Sequence, residues 1–240
     1  MRIGLFDSGV GGLTVLRSLI DRYPNNEYIY YGDTLNIPYG SKNICELKKL
    51  ACKNIDKLLE KGADIIVVAC GTVSSNCMDY LRNKYMNIEI YDVISNTLKY
   101  LNNSNLEKIL IIGTERTISS HIFKDNILRD VFEVATPKLV PLIENNNFDM
   151  IDNIIDDYLN DYRDIDAIVL GCTHYPIITK NIDMYYKGKV KIINMGEIIE
   201  INDKCDNGDS GVRLYFSKID KFVINNCNNI LKGIDFVINK

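Results

Sequence analysis

A chain of 240 residues can bury a substantial core and is long enough for two domains of roughly a hundred residues each. Hydrophobic residues make up 46% and charged residues 25%, and the formal net charge is -4 with Lys and Arg dispersed among Asp and Glu, so nothing marks a nucleic-acid surface. No apolar run approaches the ~18–20 residues of a membrane span and no export leader precedes the strand-like run Arg2-Ile-Gly-Leu-Phe6, which predicts a cytoplasmic protein without membrane contact.

In chain order, short apolar β-rich runs alternate with longer helical patterns. Strands are predicted at 2–6, 28–31, 64–69, 88–93, 108–112, 138–141, 167–170 and 190–194, and helices at 13–23, 42–61, 74–85, 119–131, 148–163 and 215–230. This alternation is that of stacked βαβ units around mainly parallel sheets.

The chain also repeats itself. Asp64-Ile-Ile-Val-Val-Ala-Cys70 pairs with Asp166-Ala-Ile-Val-Leu-Gly-Cys172, each an apolar strand ending in cysteine. Upstream, Arg2-Ile-Gly-Leu-Phe-Asp-Ser8 has a looser counterpart in Lys108-Ile-Leu-Ile-Ile-Gly-Thr114. Residue 2 to residue 70 spans 68 positions and residue 108 to residue 172 spans 64, so the chain reads as two related α/β halves. Ligands of open α/β sheets bind beyond the carboxyl ends of the strands, which is where Asp7, Ser8, Cys70, Thr114 and Cys172 fall.

Seven cysteines without an export signal are expected as reduced thiols, and their odd number argues against a fully paired disulfide framework. There is no C-x-x-C and only His121 and His174 as histidines, so no metal site is expected. Cys45, Cys52 and Cys77 have packing spacings, Cys205 and Cys227 lack activating neighbours, and His121 reads as a structural residue of the helix at 119–131.

Three constellations can carry chemistry. Asp7-Ser-Gly-Val-Gly-Gly12 follows a strand and opens a helix; its readings are an anion-binding loop with free N–H groups, a plain tight turn, and a nucleotide loop, the last opposed by the missing G-x-G-x-x-G and by the acidic Asp7. Cys70-Gly-Thr-Val-Ser-Ser75 and Gly171-Cys-Thr-His-Tyr-Pro176 each set a thiol at a strand end among amides and hydroxyls. A lone cysteine there is usually structural, but two in equivalent positions of a repeat suggest a pair. A Cys172–His174 nucleophile would serve a hydrolase or transferase yet leave Cys70 idle. A racemase needs an acid and a base on opposite faces of one carbon, which a twofold-repeated scaffold supplies. Glu144 either positions His174 or is a solvated loop carboxylate, and the bare sequence favours the latter. Tyr31 to Gly40 is a loop of turn formers long enough to cover a ligand.

Together these segments resemble the aspartate/glutamate racemase family, through Asp7-Ser-Gly-Val-Gly-Gly12, Tyr31-Gly-Asp33 with Pro38-Tyr-Gly40, Ala69-Cys70 with Thr72, Gly113-Thr114 with Thr117, Val140-Pro-Leu-Ile-Glu144 and Gly171-Cys-Thr-His-Tyr-Pro176. The resemblance implies two pseudo-symmetric, doubly wound (Rossmann-like) α/β domains, 1–93 plus 204–240 and 94–203, with the active site in the cleft between them. It implies interconversion of L- and D-glutamate without pyridoxal phosphate, metal or nucleotide, supplying D-glutamate for peptidoglycan, by a homodimer. It assigns Cys70 to the α-proton of D-glutamate and Cys172 to that of L-glutamate, with Asp7 assisting Cys70, and His174 and Glu144 assisting Cys172. Substrate contacts would come from Asp7, Ser8, Pro38, Tyr39, Gly40, Gly71, Thr72, Thr114, Thr117, Thr173 and His174.

The sequence departs from the family pattern in places. Gly71 stands where the family usually has an asparagine that contacts substrate; a buried hydrogen bond lost there costs about 1–3 kcal/mol unless compensated. A racemase for aspartate or another small amino acid, or a silent ligand-binding relative, is the alternative. Asp92-Val-Ile-Ser95 replaces a segment that commonly ends in proline, and an N-terminal extension tied to activation in some relatives is not expected.

Overall fold

Strands rich in Ile, Val and Tyr form parallel sheets and are connected by helices whose apolar stripes cover the sheet faces. The structure is a computed structural model and describes residues 1–202 and 210–239; the expected boundary at 203/204 and Cys205 lie outside the described residues.

In chain order the elements are β1 (Arg2–Asp7), α1 (Leu13–Arg22), β2 (Glu27–Gly32), α2 (Ile44–Glu60), β3 (Ile65–Val68), α3 (Gly71–Lys84), β4 (Ile90–Asp92) and α4 (Val93–Asn102). There follow β5 (Lys108–Gly113), α5 (Glu115–Ile118), β6 (Asp130–Ala135), α6 (Leu139–Glu144), α7 (Ile151–Leu159), β7 (Ala167–Leu170), α8 (Thr179–Tyr186), β8 (Lys191–Asn194), β9 (Gly211–Phe216), α9 (Lys221–Ile230) and β10 (Val237–Asn239). One sheet has the order β10-β9-β2-β1-β3-β4 and the other β6-β5-β7-β8, and every pairing is parallel.

The repeat is therefore topological. Within the first sheet β1 to β4 run 2-1-3-4, and within the second β5 to β8 run in the same pattern, 6-5-7-8. Strand order reverses between β1 and β3 in one half and between β5 and β7 in the other, the switch points at which open α/β sheets bind ligands. Asp7 ends β1 and Cys70 follows β3; Thr114 follows β5 and Cys172 follows β7.

Side chains alternate across each strand. Ile3, Leu5, Ile109, Ile111 and Val169 join one continuous cluster that runs through both halves, whereas Phe6, Ile66 and Val68 face α2 and α3, and Leu110, Ile112 and Leu170 face α6 to α8. Full burial of each such side chain is worth about 1.5–3 kcal/mol, so the shared cluster ties the halves together. At their junction Asp92 does the work of a cap: its Oδ1 accepts from Ser95 N at 2.8 Å and its Oδ2 from Arg82 at 2.7 Å. That pair fixes the start of α4 without the proline common in the family.

Three expectations are corrected. The segment 138–141 is not a strand but the start of α6, because Pro141 has no N–H for a ladder and fits the first helical turn, whose donors are unpaired anyway. No helix forms over 119–131: α5 ends before it at Ile118, Ser120 Oγ turns back to Thr117 O at 2.6 Å, His121 adopts φ 52°, and the chain resumes as β6. His121 is thus an exposed turn residue whose Nδ1 meets Glu133 Oε2 at 2.8 Å, not a helical one. The helix expected over 215–230 is split into β9 and α9, with Asp220 capping α9 through Val223 N at 3.0 Å. The helices α4, α5 and α8 and the strands β6, β9 and β10 are not among the predicted elements.

Candidate active site

The ends of β1, β3, β5 and β7 open onto a cavity of about 380 Å³. Of the residues expected from the sequence, Ser8, Pro38, Tyr39, Gly40, Cys70, Gly71, Thr72, Thr114, Glu144, Cys172, Thr173 and His174 line it. Asp7 and Thr117 are fully buried one contact behind the wall, through Thr173 and Thr114 respectively.

Cys70 sits at the N-cap of α3, its thiol hydrogen bonding to Ser8 Oγ at 3.8 Å and facing the N–H of Val73. A helix N-terminus favours a thiolate, but here it is outweighed: burial first, and then the charge of Asp7, push the Cys70 thiol up to about 12. Cys70 is therefore held as a proton-bearing thiol.

Cys172 has the opposite surroundings. Its Sγ lies 3.6 Å from His174 Nδ1, and His174 Nε2 lies 3.1 Å from Glu144 Oε1, an ion-pair distance without an aligned hydrogen bond. Burial alone would push the His174 imidazole down, but Cys172 and Glu144 on its two nitrogens together hold it well above its ordinary value. Glu144, the last residue of α6, is thus no solvated loop carboxylate.

The glycine loop has a different task from the one anticipated. Asp7 Oδ2 accepts from Gly9 N at 3.0 Å and Gly12 N at 3.1 Å, so two of the loop's donors are taken by its own carboxylate, whose charge also opposes a phosphate there. A β-carbon on Gly12 would lie 2.4 Å from Asp7 Cβ, which requires glycine there. Asp7 Oδ1 accepts from Thr173 Oγ1 at 3.3 Å, linking the first switch point to the second.

Tyr39 presents its ring and main chain, not its hydroxyl. The hydroxyl donates to Asp33 Oδ2 at 2.7 Å and accepts from Asn54 at 3.1 Å, and burial with the Asp33 charge keeps it protonated. Thr72 Oγ1 and Thr114 Oγ1 meet at 3.1 Å, one from each half, and Thr117 Oγ1 lies 3.0 Å beyond. With Ser8, Thr173 and the start of α3, these hydroxyls form a polar, uncharged wall suited to a carboxylate. Among the described residues no three His, Cys, Asp or Glu side chains cluster as a metal site requires.

Sequence reasoning missed Ile37, Ser41, Glu115, Thr136, Pro137, Val140, Pro141 and Asn145 in the lining. Val140 and Glu144 share a face only at helical spacing, and the strand expected at 138–141 concealed it.

The sequence profile of the Asp/Glu/Hydantoin racemase family matches residues 15–199. A glutamate racemase of Aquifex pyrophilus is 35% identical over 229 residues, covering 91% of this chain and 89% of its own. Among solved structures, a glutamate racemase isoform of Bacillus anthracis superposes with a TM-score of 0.91 at 26% identity, covering 99% of this chain and 96% of its own. The glutamate racemase of Francisella tularensis in complex with D-glutamate superposes with a TM-score of 0.84 at 27% identity, over 100% of this chain and 97% of its own.

Proposed function

The chain belongs to the Asp/Glu/Hydantoin racemase family, and from that premise we propose that it interconverts L- and D-glutamate with Cys70 and Cys172 as paired acid and base. It is an amino-acid racemase, an isomerase. The observation that carries the two-thiol reading is that both cysteines, at equivalent switch points of a repeated topology, line one cavity.

Starting from L-glutamate, Cys172 as thiolate beside a protonated His174 takes the α-proton, and the electron pair stays on the α-carbon next to the carboxylate. The Cys70 thiol donates its proton to the opposite face, giving D-glutamate. The sulfurs then hold reversed charges, Cys70 as thiolate and Cys172 as thiol, ready for the reverse reaction or for resetting by exchange with water. This reading is supported by the protonated Cys70 and by the charged ring that faces Cys172. The threonine wall would take the substrate carboxylates, and Asp7 would hold the loop that carries Ser8. Every proton is carried by the chain's own residues, so the proposal needs no cofactor.

Glutamate is favoured over other amino acids by the relatives of that name across the whole chain. The accompanying proposals are a cytoplasmic homodimer that supplies D-glutamate to peptidoglycan, built of two domains, 1–93 with 204–240 and 94–203. Among the described residues no helix is long and apolar enough to cross a membrane.

The test is proton NMR in deuterium oxide with L-glutamate and, separately, L-aspartate, alongside chiral analysis and no added cofactor. Loss of the glutamate α-proton with appearance of D-glutamate is expected. Exchange with aspartate alone would replace the substrate, and exchange with neither would remove glutamate and aspartate together.

A further inference from the structure

The seam between the two halves is built on glycines that leave no space for a side chain. A β-carbon at Gly71 would lie 2.5 Å from the carbonyl oxygen of Gly171, one at Gly11 would lie 2.6 Å from Thr173 Oγ1, and one at Gly40 would lie 2.9 Å from Thr114 Cβ. Each is a first-half residue against a second-half atom, and each falls short of the 3.4 Å at which ordinary contact begins. Gly211, on β9, has nothing within 4 Å.

The contact at Gly71 differs from the other two in what it touches and where. The opposing atom is main chain, and Gly171 is itself fixed by its N–H to Ile112 O at 2.8 Å, so no rotamer change relieves a clash. Gly71 directly follows Cys70, and Gly171 directly precedes Cys172. Gly71 is the first residue of α3 and does not have a positive φ, so its backbone conformation does not call for glycine; the close approach does.

We infer that Gly71 is a positioning residue: its missing side chain lets the main chain beside Cys70 seat on the main chain beside Cys172, and this contact sets the spacing of the two thiols. The inference rests on the two-thiol reading above. Two groups acting on opposite faces of one carbon must both be within reach of it at once. A β-carbon at residue 71 would force the seam apart by about 1 Å, and a displacement of about that size can cost on the order of 10²-fold in rate. The departure from the family's asparagine is then a closer seating of the halves rather than a lost contact.

The test is Gly71→Ala beside Gly211→Ala as a control, with kcat and KM measured in both directions. Gly71→Ala is expected to lower kcat by about 10- to 100-fold with KM moving less than about threefold. It is also expected to pull the alkaline limb of the rate profile to lower pH, since an opened seam wets the buried Cys70 thiol. Gly211→Ala should leave both constants unchanged. A β-carbon pressed against the Gly171 carbonyl also disturbs packing, so Gly71→Ala should melt below the parent while still folding cooperatively. A kcat within about twofold of the parent, a loss confined to KM, or a Gly71→Ala chain that fails to fold would overturn the inference. A crystal structure of Gly71→Ala reads the spacing independently of any substrate: the Cys70–Cys172 sulfur separation should widen by roughly 0.5–1 Å. An unchanged separation would overturn the inference, whereas an inactive parent enzyme would overturn only the assignment of glutamate.

Discussion

The two thiol environments follow the same topology and have opposite electrostatics. Around Cys70 the neighbours are Ser8, the helix start and the Asp7 carboxylate, which leave a buried thiol that keeps its proton. Around Cys172 they are His174 and Glu144, which leave a sulfur facing a ring drawn to its charged form. A duplicated scaffold thus supplies two equivalent positions, and the short segments after each strand give them the different neighbours on which the proposed roles, acid for Cys70 and base for Cys172, rest. The difference teaches that near-symmetry of the fold places the groups while its local breaking gives each its own charged neighbours.

The largest expected effect tests whether both members are required. Cys70→Ser and Cys172→Ser should each lower kcat by about 10²- to 10⁴-fold, the usual span of general acid–base catalysis, with circular dichroism unchanged. Near-normal turnover by either variant would break the pair into one working thiol and one spectator.

A smaller effect sharpens the second environment. Glu144→Gln removes the charge of one of the two partners that raise His174, so the imidazole midpoint followed by NMR should move down toward its ordinary value, and kcat should fall by about 10-fold, the equivalent of about one pKa unit of lost charge stabilisation. A midpoint that stays in place would show that Cys172 alone holds the ring.

The contrast should also appear in reactivity. With iodoacetamide near neutral pH and peptide mapping, exposed Cys45 should be modified before the two pocket thiols, and of these Cys172 should react ahead of Cys70. The reverse order would overturn the assignment of acid and base.

The smallest effect concerns stability. Burial raises Cys70 and Cys227 to about 12 and Cys77 to about 11 from an ordinary 9.0. Groups whose folded value is raised contribute fully below the unfolded value, so their contribution holds below about pH 9 and is lost as pH rises through about 11 to 12. Denaturant midpoints should therefore decline above pH 9, and Cys227→Ala should make that decline shallower; an identical slope would remove Cys227 from the account.

Much of this was legible because strand-end cysteines in a repeat are a local signal. The runs into Cys70 and Cys172 were readable as buried parallel strands, and their equivalence followed from spacing. What was hidden depends on contacts across the fold. Asp7 read as an anion loop's anomaly, whereas its carboxylate is what satisfies that loop. Glu144 looked solvated because α6 was read as a strand, and only a helix brings it to His174. Tyr39 was readable as a lining residue but not as one whose hydroxyl is turned to Asp33 and Asn54. Gly71 looked like a loss, since nothing in a linear sequence announces the carbonyl of Gly171 opposite it.

The central claim, that separate thiols serve the two faces, is tested most directly by where deuterium goes in the first turnovers of L-glutamate in deuterium oxide. The account predicts that the earliest D-glutamate carries one α-deuterium while the remaining L-glutamate keeps its α-proton, because the incoming hydron comes from Cys70 and not from the group that removed the first. Deuterium in both enantiomers from the outset, or D-glutamate that retains the original proton, would mean one group serving both faces and would contradict it.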